Sequence, residues 1–145
     1  MDRRAWSDEE MILSLDLYYK LPFGRLNQHT PEVRELASLI GRTPSSVALR
    51  LVNYAACDPY IVNSGRRGMV SGIGKCKPFW EHYADNTEEL FLQAENIRAS
   101  LLAKPVEEIL QLNSTDFIGQ EKEAVIKQRI NQNAFRAVIL ANYNE

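Results

Sequence analysis

Cysteine and histidine are the scarcest reactive residues of this 145-residue chain, with two of each. Cys57, Cys76, His29 and His82 stand far apart in sequence, with no Cys-x-x-Cys or His-x-x-x-His pairing, so a structural zinc is not expected. No apolar run approaches membrane-spanning length, and Met1-Asp2-Arg3-Arg4 leads into a helical pattern without a signal-peptide core. A soluble cytoplasmic protein with reduced thiols is the expectation. A Walker-type phosphate loop and a nucleophile elbow are both missing. Ser64-Gly65-Arg66-Arg67-Gly68 and Ser71-Gly72-Ile73-Gly74-Lys75 are glycine-rich, but neither is framed by a strand and a helix of suitable length. No catalytic constellation is visible, and none of these residues implies a bound cofactor.

What is present is helical punctuation. Ser7, with Glu10 three residues on, has the form of a capping box opening a helix that Leu21-Pro22 stops. Thr30-Pro31 opens a second helix that ends at Ile40 before Gly41. Thr43-Pro44 opens a third, which Asp58-Pro59 closes. Tyr60 to Lys77 reads as a loop rich in glycine, serine and cations, and Pro78 to Tyr83 as a short helix whose aromatics belong to the core. Thr87 caps a longer helix to Ala103, with Leu90, Ala94, Ile97 and Leu101 as its buried stripe. Lys104-Pro105 breaks it, Val106 to Leu112 is a short helix, Asn113 to Asp116 a turn or linker, and Gln120 to Tyr143 mostly helical. The expected fold is all-α, or mainly α. Residues 1–112 would form a DNA-binding domain with supporting helices, and residues 113–145 a linker and helix.

The second and third helices, joined by Gly41-Arg42-Thr43, have the outline of a helix-turn-helix, whose second helix enters a DNA major groove. On that helix Val47, Leu51 and Ala55 form the packing stripe. Ser46, Arg50 and Asn53 form a polar stripe of hydrogen-bond donors, with Leu49 nearby. The same spacing is also that of a plain helical hairpin with a solvated face. Charge distribution favours DNA. From Lys20 to Trp80 nine cations face only Glu32, Glu35 and Asp58, whereas from Glu81 to Glu123 carboxylates outnumber cations about threefold. Arg42, Thr43, Ser46, Arg50 and Asn53 are therefore the candidates for the groove and its flanking phosphates. Arg66 and Arg67 are the candidates for backbone contact, since glycine-rich chain can approach phosphate closely.

Trp6-Ser7-x-Glu9-Glu10, Leu17-Tyr18-x-Lys20-Leu21-Pro22-Phe23-Gly24, Gly41-Arg42-Thr43-Pro44-x-Ser46-Val47, Asn53-Tyr54 with Asp58-Pro59, Gly65-Arg66-Arg67-Gly68, Trp80, and Arg129-x-Asn131-Gln132-x-x-Phe135-Arg136 with Leu140 and Tyr143 together resemble the N-terminal region of bacterial HNH restriction endonucleases. The resemblance implies a DNA-recognition portion that positions a C-terminal nuclease on duplex DNA. Arg129, Gln132, Phe135 and Arg136 would then form the junction with that nuclease. Such a nuclease carries a His-Asn-His metal site, yet no histidine follows His82 here. The divalent metal is thus expected only in the nuclease module, and this chain is expected to be inactive alone. A stand-alone helix-turn-helix transcriptional regulator, and a module whose acidic second half docks a basic protein, are the alternative readings.

Overall fold

The computed structural model describes residues 5–65, 73–110 and 119–143. Within them the chain is helical, with no strand: α1 (Asp8–Lys20), a 3-10 turn (Phe23–Arg25), α2 (Pro31–Ile40), α3 (Pro44–Cys57), α4 (Pro59–Asn63), α5 (Ile73–Tyr83), α6 (Thr87–Leu102), α7 (Val106–Ile109) and α8 (Gly119–Tyr143). The all-α expectation is met.

Local chemistry places most of the ends. The Ser7 side chain accepts from the Glu10 amide while Glu10 Oε1 accepts from the Ser7 amide at 2.9 Å, completing the capping box of α1. Thr43 caps α3 by accepting from the Ser46 amide at 3.2 Å. Gly41, at φ 71°, ends α2 in the left-handed conformation that glycine adopts without a Cβ penalty. Thr30, the expected cap of α2, makes no such bond; its hydroxyl donates to the Arg25 carbonyl at 2.7 Å and ties the preceding turn to the helix.

Three elements differ from expectation. Tyr60 to Asn63 and Ile73 to Lys77, read as loop, are helical, and α5 runs through Pro78. Cys76, wholly buried against the core, anchors the turn before that proline, so packing outweighs the lost backbone bond. On α6, whose N-cap is Asn86 rather than Thr87, Phe91 is buried and Leu101 is half-exposed. The α6 stripe is therefore rotated from the one drawn by period alone.

α1 is the central element. Met11, Leu13, Leu15 and Tyr18 are buried, and helices pack around it on several sides: α2 and α3, then α5, then α6 and α8. A helix so enclosed carries buried polar groups that need partners. The Tyr54 hydroxyl, from α3, donates to the Met11 carbonyl at 3.0 Å. Asp16 is buried beside Lys20 at 2.9 Å and Arg98 at 3.6 Å, which links α1 to α6. α8 contributes Ile130 and Ala134 to the same core. The turn or linker read at Asn113 to Asp116 lies outside the described residues.

Candidate nucleic-acid interface

The packing stripe of α3 is where its period puts it: Val47, Leu51 and Ala55 are fully buried. The polar stripe is not one surface. At about 100° per residue, Ser46, Arg50 and Asn53 lie about a quarter turn from the outward stripe of Ser45, Leu49, Val52 and Ala56. α5 packs along that flank, making α3 and α5 the most extensively packed pair of helices. Asn53 is consequently only 3% exposed, and its amide cannot reach a base edge in this conformation. Ser46 is half-buried, and its hydroxyl donates to the Thr43 carbonyl at 2.9 Å.

The two arginines meet Trp6. Arg42 and Arg50 hold their guanidinium carbons 4.7 and 4.8 Å from the centroid of that indole, within cation–π range. Arg42 is otherwise committed to Glu10 and to the Ala5 carbonyl, with its side chain only 4% exposed. It works as a clamp on the start of α1, and Thr43 works as a cap. Arg50 is less committed: one guanidinium nitrogen donates to Cys76 Sγ at 3.8 Å, and its Nε is buried with no hydrogen-bond partner among the described residues. Leu49 is 46% exposed at the neighbouring position.

Lys75 and Lys77, both exposed, flank Cys76 on α5 and so border the Arg50 side of α3. Lys75 and Lys77 belong to the same basic, glycine-rich stretch as Arg66 and Arg67, and their charge was the signal the sequence carried for them. Arg66 and Arg67 lie outside the described residues. Arg25, by contrast, forms a two-pronged pair with Glu32 at 2.8 and 3.2 Å.

Both thiols are held toward their neutral form. Burial pushes Cys57 up to about 11, reinforced by Cys76 and only partly offset by Lys77. Burial also raises Cys76 against the opposing effect of Arg50. Among the described residues no group of three or more His, Cys, Asp or Glu side chains is arranged to hold a metal, and no helix is long and apolar enough to cross a membrane.

The proposed junction residues are spread over α8 in different settings. Gln132, Phe135 and Arg136 are exposed and Arg129 is half-buried, with Gln132 and Phe135 lining a groove against α1 and α6. Comparison of the chain with protein-family models, with curated proteins and with solved structures finds no match in any of the three.

Proposed function

We propose that this chain binds duplex DNA through the N-terminal half of α3 and the adjoining face of α5. One observation carries the reading. The first two turns of α3 leave Ser45 and Leu49 exposed and Ser46 and Arg50 half-buried, while no residue from Leu51 to Cys57 is exposed. The second helix of a helix-turn-helix likewise meets base edges with its N-terminal residues. Arg50 supplies a fork suited to guanine, Leu49 an apolar contact for a thymine methyl, and Lys75 and Lys77 phosphate contacts. The resemblance to HNH restriction endonucleases extends the proposal: the bound module positions a nuclease that carries its own divalent metal, with Arg129 and Arg136 of α8 toward that nuclease, while Gln132 and Phe135 lie in the groove against α1 and α6. A transcriptional regulator would use the same surface.

The test is fluorescence anisotropy with labelled duplexes of varied sequence at low salt, on folded protein. Binding that weakens in Arg50→Ala and in the Lys75→Ala/Lys77→Ala double variant supports the proposal. Absence of binding on every duplex would sink it.

A further inference from the structure

On the side of α1 served by α6 and α8 runs a groove unrelated to the α3 surface. Its main section, about 840 Å³, has Tyr19, Phe91, Phe135 and Val138 as apolar walls. A second section shares Tyr19 and Val138 with the first and continues to Asp58 and Tyr60. Along α8 the two sections extend from Gln128 to Ala141, about 20 Å at 1.5 Å per residue. Exposed aromatic side chains stand in each section, Phe135 at 68% midway along the α8 wall and Tyr60 at 62% in the second, with Ile139 exposed one turn beyond Phe135. An apolar surface of this extent with polar edges marks a binding face.

The polar groups say what kind of occupant fits. Among the described residues neither section is lined by a lysine or arginine, while each holds a carboxylate, Glu88 in the first and Asp58 in the second. Asp58 is steadied by the Tyr18 hydroxyl, which donates at 2.6 Å, and by the Tyr60 amide at 3.0 Å. Glu88 is exposed. Gln128 and Gln132, also exposed, add amide groups on the α8 wall. A phosphate-bearing ligand would meet two carboxylates and no lining cation to receive it, whereas a cationic, apolar one would be complemented.

We propose that this groove docks an amphipathic basic segment of another protein, about three to four helical turns long, with apolar anchors at i, i+3/i+4 and i+7 and Lys or Arg toward its ends. Helix-in-groove recognition has this pattern: apolar anchors give the affinity and flanking charges give the direction. Phe135 and Tyr60 close over the anchors, and Glu88 and Asp58 receive the cations.

The experiment uses a phage-displayed library of random 14-residue peptides, selected on the full chain and counter-selected on its Phe135→Glu variant. Phe135 is exposed, and circular dichroism checks that the variant is folded. Enriched peptides should carry the stated apolar spacing and terminal basic residues. A synthetic peptide of the leading sequence should bind at least 10-fold more weakly to Phe135→Glu, to Glu88→Lys, and to Tyr60→Glu at the far end. DNA affinity of the Phe135→Glu variant should be unchanged. No enrichment over the variant, or enrichment of acidic peptides, would overturn the proposal. So would a concentration-dependent dimer, seen by light scattering, that Phe135→Glu dissociates, since the groove would then belong to a second copy. Loss of DNA affinity in Phe135→Glu would place α8 on the DNA side and overturn it as well.

Discussion

Arg42 and Glu10, 32 residues apart in sequence, meet in a two-pronged ion pair, with Nε 2.8 Å from Oε2 and a terminal nitrogen 3.0 Å from Oε1. Glu10 also accepts from the Ser7 amide, so one carboxylate both caps α1 and receives the arginine that precedes α3. The pair is nearly closed to solvent. Removing one partner of a buried pair leaves a charge uncompensated, and Arg42→Ala should cost about 3–5 kcal/mol of stability. Arg42→Lys should recover only part of it, because an ammonium cannot form the two-pronged pair. Thermal melting checks both. A melting temperature unchanged in Arg42→Ala would show that the clamp contributes nothing.

Arg50 and Asn53 should separate cleanly. Arg50→Ala should weaken DNA binding by about 1–3 kcal/mol and relax preference at one base pair. Asn53→Ala should leave preference intact and instead lower stability by about 1–3 kcal/mol, as expected when a buried amide is deleted. Anisotropy titrations on a panel of single-base variants, run beside urea unfolding, read the two effects independently. A shift in base preference from Asn53→Ala would mean that α5 moves away from α3 on binding.

Salt dependence should be steep. If about three to five cations, Arg50, Lys75 and Lys77 among them, neutralise phosphates, the slope of log affinity against log salt should be about −3 to −5. Replacing Lys75 and Lys77 by alanine should flatten it by about 2 units and weaken all duplexes alike. An unaltered slope would remove α5 from the interface.

Alkaline pH should destabilise the fold. Burial, with Asp58 adding to it, pushes Tyr19 up to about 12, and Cys57 lies at about 11. Both groups prefer their neutral form in the folded state. Stability is therefore fully present below their unfolded values, about 10 for tyrosine and 8.5 to 9 for cysteine, and is lost as pH rises through about 11 to 12. Native-state alkylation of Cys57 at pH 8 should be slow, with about one thiol in a thousand ionised. Iodoacetamide labelling in buffer and in denaturant checks this; equal rates would contradict it.

Sequence alone determined the parts of this protein that rest on neighbours in the chain. Caps at Ser7 and Thr43, prolines 22, 31, 44 and 59, and Gly41 set the bounds of the first three helices, because each acts on backbone groups within one turn. The buried stripe Val47, Leu51 and Ala55 was equally legible, since a 3.6-residue period suffices to draw it. Which other faces are covered was decided by tertiary structure. α5 lies on the flank of α3 and takes Asn53 out of solvent; Trp6 lies against Arg50; Glu10 removes Arg42 from the surface. None of these contacts has a local signature, because each joins residues tens of positions apart. A helix packed by four neighbours, as α3 is by α1, α2, α4 and α5, keeps one narrow outward face, and only the placement of those neighbours determines which face that is.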